Sequence, residues 1–367
     1  MTEKFVLHIS KSSLAGAPIR IVNAINQYTD YRARLLNFVP SEINNETQIY
    51  DEDLSWQSED DKKLARELIK KADIIHFHHF MDLEFYNPFV INFLKETKSE
   101  CKFLRHFHSD KSYIEKTDLD FKKIYPNDKV PRIVIPHYPE RGFMDCVIVP
   151  NIIPIWEKYC SPVTTDNPKP VVVYSASNKT SYKVERWATK GYPEVMEKLS
   201  ELKDKLGFEL KTIAGIPFKE AMKIKQNADI VIGDIVTGSY HLTELEGLAL
   251  GKPTLSYLDG RSVMTFVKTF KTDDIPFVNV NIDNLEFALE DLVTNKELRA
   301  NLGNFSRKWI EKYYDDRVLI KNFTDIYDKL INDIPFSREG CDEDKDVKEF
   351  LYHRVYDYNW RRISQFH

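Results

Sequence analysis

The sequence is poor in cysteine and glycine and has no long hydrophobic run. Its 367 residues include 4 cysteines and 12 glycines. The cysteines have no CxxC spacing, which argues against a disulfide framework or a zinc ribbon and favours a reducing, cytoplasmic compartment. No apolar stretch approaches the roughly 20 residues needed to span a bilayer, so any membrane contact is expected to be peripheral.

Positive charge is not in excess either. The formal net charge is -5 and the pI is about 6.1, which argues against a surface that coats duplex nucleic acid. The opening MTEKFVLHIS is predicted to be a short strand. It is not expected to be a signal peptide, because its apolar run is too short. Aromatic residues make up 13% of the chain, enough for large cores or stacking surfaces.

Strands and helices alternate in two successive series, which predicts an α/β protein with two doubly wound domains. The first series spans residues 1–165 and the second spans 170–330, with a proline-rich linker, SPVTTDNPKP, between them. Residues 331–367 form a tail that is predicted to be helical and to dock on the N-terminal domain. Because ligands bind beyond the carboxyl ends of parallel strands, a cleft between the domains is the expected site.

The stretch LTELEGLALGKPTLSYL places Glu246 on a helix that follows the turn TGSYHLT. A carboxylate has two acceptor oxygens, which match the vicinal hydroxyls of a ribose. Free backbone N–H groups at the helix start suit a diphosphate. Glu246 could equally do no more than complement the helix dipole, and the residues alone leave both interpretations open.

Histidines cluster at the ends of two predicted strands. His76 and His78 share one strand face, as do His106 and His108. The string HFHSD is similar to the His-x-His-x-Asp of metal-dependent hydrolases, and histidine is the commonest metal ligand. Against this, Lys111 stands where that motif has a further histidine. Burial with backbone hydrogen bonds is the alternative that best fits His76 and His106.

Basic and small residues mark two further loops. Lys179, Lys183, Arg186 and Lys190 follow the strand VVVYSAS, and no Asp-x-Asp string lies in or next to this stretch. A pyrophosphate leaving group would then need arginine or lysine to neutralise it, whereas a solvated basic loop is the alternative. Gly16 and Ala17 would let a ligand approach the backbone closely, or would simply form a helix-entry turn.

The stretch ADIVIGDIVTGSYHLTELEGLALGKPTLSYL resembles the nucleotide-sugar site of GT-B glycosyltransferases, most closely the retaining family 4. That family reads Gly-Leu-x-x-x-Glu-Ala-Met-Ala-x-Gly-x-Pro-Val, and the match runs from Glu246 to Pro253. LAGAPIRIVNAIN, ADIIHFHHF, HFHSD and ATKGYPEVMEKLSEL resemble other parts of it in the same order. The resemblance covers about residues 4–330. Gly238 departs from it, since many members have a glutamate there; a backbone amide, His241 or Asp234 could fill that position.

The resemblance implies a GT-B fold with two Rossmann-like domains facing across a cleft. It implies an enzyme that moves a sugar from a UDP- or GDP-sugar to an acceptor hydroxyl of a glycan or lipid-linked molecule, with retention and without a metal or other cofactor. The implied catalytic residues are His108, Lys190 and Arg186. The implied donor-binding residues are Glu246, Gly238, His241, Leu242, Thr243, Gly16 and Ala17, and the acceptor-side residues are Arg20, His78 and Asp110.

Three other functions stay open at this stage. One is a phage-type glycosyltransferase that modifies a DNA base, for which the basic and aromatic tail with Arg361 and Arg362 would be suited. Another is a metal-dependent hydrolase that uses His76, His78, His106 and His108. The third is a non-catalytic protein that binds a nucleotide-sugar. The tail could also contact a membrane surface.

Overall fold

The structure, a computed structural model, describes residues 3–41, 48–175 and 190–337. These residues form two compact units. The first unit contains the described parts of Met1–Asn45, Tyr50–Ile152 and Asp316–Glu339, and the second contains those of Glu46–Ile49 and Ile153–Asp315. The boundary between the units therefore lies at residue 153, before the predicted linker. Residues 316–330, which were predicted to be part of the second domain, belong to the first unit. The tail from residue 338 onward lies outside the described residues.

The first unit is built on a parallel seven-stranded sheet. Its strands are β1 (Lys4–Ser10), β2 (Tyr31–Asn37), β4 (Leu54–Ser55), β5 (Ile74–His78), β6 (Lys102–Phe107), β7 (Arg132–Val134) and β8 (Val147–Ile148). The order across the sheet is β4-β2-β1-β5-β6-β7-β8. The last five residues of β1 and all of β5 are buried, as expected for central strands covered on both faces.

The helices of the first unit come from both ends of the chain. They are α1 (Ala17–Tyr28), α2 (Glu59–Lys71), α3 (Phe93–Glu96), α4 (Lys111–Thr117), α5 (Leu119–Ile124), α12 (Asp316–Leu319) and α13 (Lys321–Ile331). On α13, Phe323, Ile326, Tyr327 and Leu330 recur at helical spacing and pack in the same core as Ile74 of β5. This apolar stripe explains why α13 joins the first unit.

The second unit has a parallel five-stranded sheet. Its strands are β9 (Val171–Ser175), β10 (Glu209–Ile213), β12 (Ile230–Ile232), β13 (Thr254–Ser256) and β14 (Val278–Asn279). A separate short pair joins β3 (Gln48–Ile49) to β11 (Ile216–Pro217). The helices are α6 (Tyr192–Leu206), α7 (Phe218–Gln226), α8 (Leu242–Ala249), α9 (Gly260–Phe270), α10 (Leu285–Thr294) and α11 (Lys296–Tyr313).

Both sheets have a point at which the strand order reverses. In the first sheet, the chain places β2 on one side of β1 and later places β5 on the other side. In the second sheet, it places β10 on one side of β9 and later places β12 on the other side. The carboxyl ends of strands at such a switch point are the usual ligand position in open α/β sheets. No helix formed by the described residues is long and apolar enough to cross a bilayer.

Candidate functional site

The turn after β12, at the switch point of the second unit, is held by Asp234. Its fully buried carboxylate accepts hydrogen bonds from the backbone N–H of Val236 at 2.9 Å and of Thr237 at 2.8 Å, and lies 3.0 Å from Nε2 of His241. Burial by itself would raise the pKa of Asp234, but the hydrogen bond and charge of His241, together with Lys190, lower it below its ordinary value. The turn therefore carries a fixed negative charge.

The start of α8 is capped by a second buried carboxylate, that of Glu244. Glu244 Oε1 accepts from the Asp234 N–H at 2.6 Å, and Oε2 accepts from the His241 N–H at 3.1 Å. A Cβ at Gly233 would lie 2.1 Å from the carboxyl carbon of Glu244, so only glycine fits there. Glu244, rather than Glu246, thus complements the first turn of the helix. Sequence reasoning missed it because histidine is an unusual N-cap.

Lys190 is brought to this turn by backbone geometry. Lys190 and Gly191 have φ of 50° and 66°, in the left-handed region that favours glycine. A Cβ at Gly191 would lie only 2.5 Å from Cγ2 of Val236. The close approach sets the start of α6 against the Asp234 turn. The structure therefore places Lys190 and His241 around the same carboxylate, that of Asp234, at the start of α8. Arg186 lies outside the described residues.

Gly238 lies beside a carboxylate. It has φ of 91°, and a Cβ there would lie 2.9 Å from Oδ2 of Asp259. The Gly238 carbonyl accepts from the Asp259 N–H at 3.1 Å and from Oγ of Ser262 at 2.7 Å. Asp259 also caps α9 by accepting from the Ser262 N–H at 2.9 Å. Asp259 was not singled out from the sequence, where it reads only as a helix cap.

Glu246 is buried inside the second unit. It is 2% exposed, and its Oε2 is paired with Nζ of Lys225, which is fully buried on α7. Two charges removed from water stabilise each other only as a pair, because either one alone would be left uncompensated. Glu246 therefore has a structural partner that the sequence did not reveal.

The loop after β1, at the switch point of the first unit, is fitted to an aromatic ring. Gly16 has φ of 74°, and a Cβ there would lie 2.4 Å from the ring of Tyr50. Ala17 is 1% exposed, and Arg20 is buried with its guanidinium 5.9 Å from the centroid of the same ring. Close packing within the loop accounts for the small residues, as in the helix-entry alternative.

His108 is partly buried just beyond β6, on the same sheet. Its Nε2 lies 2.9 Å from Nδ1 of His78, and Nε2 of His78 lies 3.0 Å from Nδ1 of His8. His78 is fully buried, so it supports His108 from within. Asp110 caps α4 by accepting from the backbone N–H of Ser112 at 2.9 Å. In the hydrolase hypothesis this aspartate would be part of the metal-binding motif.

Burial keeps these histidines neutral. Desolvation, followed by the charges of neighbouring histidines, holds the pKa of His76, His78, His106 and His108 well below the ordinary value. Neutral imidazoles are the form that binds metals. Candidate ligand atoms of His8, His76 and His78, and of His78, His106 and His108, lie within 4.8 Å of one another in each group. These are the described residues that could hold a metal.

No protein-family model matches the chain, and no curated protein matches it in sequence. Solved structures do match in shape. Sucrose-phosphate synthase from Thermosynechococcus elongatus is 12% identical, with a TM-score of 0.57 over 90% of this chain and 100% of that one. A glycosyltransferase from Rickettsia africae is 14% identical, with a TM-score of 0.53 over 90% and 99%.

HepE of Anabaena, solved with UDP and glucose, is 12% identical, with a TM-score of 0.58 over 89% of this chain and 100% of that one. At these identities the likeness concerns the fold. The chain has the GT-B fold of two Rossmann-like domains, and the predicted fold class is confirmed.

Proposed function

We propose that the protein is a glycosyltransferase that moves a sugar from a nucleotide-sugar to an acceptor hydroxyl. The proposal is carried by the position of the Asp234, His241 and Lys190 cluster, which lies at the switch point of one of two sheets in a GT-B fold. HepE, one of the similar structures, was solved with UDP-glucose. A UDP-sugar is therefore the first donor to test.

The diphosphate of the donor is proposed to bind at the start of α8. Lys190 and Arg186 supply positive charge, and the backbone N–H groups of Leu242 and Thr243 supply donors. Because Asp234 and Glu244 are buried and hydrogen-bonded, they shape the turn instead of presenting open carboxylates to the phosphates.

Two carboxylates are proposed for the sugars. The resemblance assigns the ribose to Glu246, which also has its structural partner Lys225. Asp259, beside Gly238, is proposed to supply the carboxylate that the family pattern has at the Gly238 position. Asp259 is preferred to Asp234 and His241, because its Oδ2 lies where a side chain at Gly238 would begin, 2.9 Å from the position of a Cβ there.

The mechanism proposed from the resemblance retains the anomeric configuration and uses no metal. The sugar–phosphate bond ionises, the departing phosphate takes the acceptor's proton, and closure around the donor excludes water. His108, on the first unit with Gly16, Ala17, Arg20 and Asp110, donates a hydrogen bond to the sugar. The lowered pKa of His108 supports such a neutral function.

The proposed acceptor is a glycan or a lipid-linked molecule. Arg361 and Arg362, on which a DNA-base acceptor would depend, lie outside the described residues, and no feature within them favours DNA. A cytoplasmic location, with peripheral membrane contact for a lipid-linked acceptor, is proposed from the cysteine usage and the absence of a long apolar run in the sequence.

A thermal-shift panel of UDP, GDP, UDP-glucose and a GDP-sugar tests the proposal, because a ligand that binds the folded state raises the melting temperature. Lys190→Gln should weaken UDP binding by about 1.5–3 kcal/mol, the scale of a hydrogen bond to a charged group. Lys198→Gln is the matched control, since Lys198 lies on α6, which begins just after Lys190, and pairs with Glu286. Equal affinities in the two variants would contradict the proposed donor site.

Turnover separates the remaining functions. Release of UDP in the presence of an acceptor, unaffected by a chelator, supports a metal-independent transferase, and NMR of the product's anomeric proton reports retention. Binding without turnover for any acceptor would indicate a nucleotide-sugar binding protein instead. Asp259→Asn should lower turnover while leaving the Oδ1 cap of α9 in place.

A further inference from the structure

Four exposed apolar side chains lie close together in sequence where the chain leaves β5 and enters α3. Phe85, Tyr86, Val90 and Leu94 have exposed fractions of 54%, 73%, 67% and 53%. They are four of the eleven large hydrophobic residues that are exposed in the described part of the chain. The first three belong to residues 82–91, here called the apolar loop. Single exposed apolar residues need no explanation, whereas a cluster of them indicates an interaction site.

The apolar loop is held in one shape by two buried polar side chains. Asp82 Oδ1 accepts hydrogen bonds from the backbone N–H groups of Glu84 and Tyr86, both at 3.0 Å. The side-chain amide of Asn87 donates to the carbonyls of Asp82 and Glu84 at 3.0 Å and of Ile91 at 2.8 Å. Asp82 and Asn87 are each 8% exposed. The loop is therefore a preformed surface, and little conformational entropy is lost when a partner binds it.

Val90 has a backbone conformation that does not suit valine. Its φ is 53°, in the left-handed region that β-branched residues rarely adopt, and its N–H donates to the Asn87 carbonyl at 3.0 Å. Glycine or asparagine would fill this turn with less strain. The turn itself therefore gives no reason for an exposed valine, whereas a contact made by its side chain would.

A groove of about 930 Å³ lies beside the apolar loop. Leu83 and Glu84 of the loop line one part of it, and Leu330, near the end of α13, lines another. Lys102, the first residue of β6, and the residues just before β7 also line it, so the groove lies at the amino ends of these strands. His108 lies beyond the carboxyl end of β6 and is therefore at the opposite edge of the sheet. Other apolar residues of the lining are Leu94, Phe103, Ile334 and Phe336.

The formal charges around the groove sum to zero. The lining has four residues of each sign, namely Asp82, Glu84, Asp128 and Asp333 against Lys102, Arg105, Lys129 and Lys329. Arg105 pairs with Asp128 at 2.5 Å, and Lys102 pairs with Asp333 at 2.6 Å. Nucleic acids and anionic membrane surfaces attract a net positive charge, so the groove suits neither of them.

Three charged residues at the groove remain available to a partner. Glu84, Lys129 and Lys329 are exposed and form no ion pair with another described residue. A second copy of the chain has the same three residues, so the carboxylate of each copy can meet the lysines of the other. Complementary charges of this kind fix the orientation of two partners.

We propose that this face forms a twofold-symmetric dimer with a second copy of the chain. The apolar loop of each copy packs Phe85, Tyr86 and Val90 into the groove of the other, with Glu84 facing the partner's lysines. A twofold interface needs one patch that is complementary to itself, and an apolar loop next to an apolar groove meets this requirement. Aromatic residues are enriched in such interfaces. The edge of the sheet where His108 lies stays uncovered, and the inference does not depend on the proposed function.

Sedimentation equilibrium of the full-length protein tests the proposal. The wild type should show twice the 43.1 kDa mass of the chain at concentrations up to about 100 µM. Tyr86→Glu should weaken the dimer about 30-fold at each of its two symmetric contacts, or roughly 1,000-fold in all, which is the effect of losing an interface hot spot twice. Phe287→Glu is the matched control and should leave the dimer intact, because Phe287 lies on α10 of the second unit and is 72% exposed.

Val90→Asn keeps the test valid if Tyr86→Glu fails to fold. Asparagine accepts a positive φ more readily than valine does, so the melting temperature of this variant should not fall. The dimer should still weaken, because the apolar contact of the side chain at position 90 is lost.

A mixture of two variants tests the symmetry of the interface. Ile334→Glu places a charge in the groove, where Ile334 is 52% exposed, and should by itself weaken the dimer. When Ile334→Glu is mixed with Tyr86→Glu, the unaltered loop of the first variant can meet the unaltered groove of the second. Each variant alone lacks both contacts and the mixed dimer keeps one, so the mixture should dimerise more than either variant.

Three results of these measurements would overturn the proposal. They are a wild type that stays monomeric, a dimer that Tyr86→Glu and Val90→Asn leave intact, and a mixture that is no more dimeric than its components. In a monomeric wild type, hydrogen-exchange protection of residues 338–367 that is lost in Ile334→Glu would assign the groove to the tail instead. Flotation of that monomer with phosphatidylglycerol vesicles, lost in Tyr86→Glu, would assign the loop to a membrane. None of these measurements needs a nucleotide-sugar, so failure of the dimer and failure of the proposed function are separate outcomes.

Discussion

Six buried or partly buried histidines should make the first unit lose stability in mild acid. Their pKa values are lowered in the folded state, to about 3 for His8 and His79 and well below the ordinary 6.5 for the others, namely His76, His78, His106 and His108. In the unfolded chain they titrate near 6.5. Below that pH the unfolded state binds more protons than the folded state, so stability falls as the pH falls.

The expected loss of stability is large compared with the total free energy of unfolding. At pH 5.5 an unfolded histidine is about nine-tenths protonated, which favours unfolding by about 1.4 kcal/mol for each histidine that stays neutral when folded. Six such residues give about 8 kcal/mol, against a typical total stability of about 5–15 kcal/mol. Carboxylates such as Asp234, whose pKa is also lowered, lose their contribution only in stronger acid.

Urea unfolding at several pH values between 7.5 and 5.5, followed by hydrogen exchange in peptides from β1 and β5, measures this loss. His76→Phe replaces one ring and should reduce the number of protons taken up on unfolding by about one. A free energy of unfolding that stays flat over this range would refute the reasoning, because it would mean that the histidines are charged or solvated in the folded protein.

Two further predictions concern the free energy of unfolding. Glu246→Leu should cost about 3–5 kcal/mol by leaving Lys225 buried alone, and adding Lys225→Met should restore most of it; if the double variant binds UDP like the wild type, Glu246 does not hold the ribose. Gly16→Ala, which meets a ring at 2.4 Å with φ of 74°, should cost about 2–3 kcal/mol. Gly207→Ala, at φ of 78° in open space, should cost about 1 kcal/mol, and equal costs would contradict the packing argument.

Much of the fold could be predicted from local patterns. The apolar strands KFVLHIS and VVVYSAS and the alternating helices gave the α/β class, because the hydrophobic period of an element is written in consecutive residues. The start of α1 could also be predicted from local residues, because Gly16 has a positive φ and Pro18 lies in the first turn. The end of β5 that carries His78 and the entry to α6 that carries Lys190 were singled out from the sequence as candidate site positions, and that assignment stays a prediction.

Contacts between distant residues could not be predicted in this way. The sequence pointed to Glu246 as a binding residue but could not show Lys225, 21 positions earlier, buried against it. Neither could it show Asp259 beside Gly238, nor α13 returning to the first unit.

The sequence by itself therefore determined the class of fold and the strand ends at which a site could form, since both follow from local periodicity and from turn residues. Only the tertiary structure decided which carboxylates are buried with partners and how the histidines are linked. His78, at the end of β5, is hydrogen-bonded both to His108, just beyond β6, and to His8 of β1. The hydroxyl of Tyr327 in turn bonds His8 across 319 positions of sequence. Packing α13 on the sheet brings these groups together, and such packing leaves no local pattern in the chain.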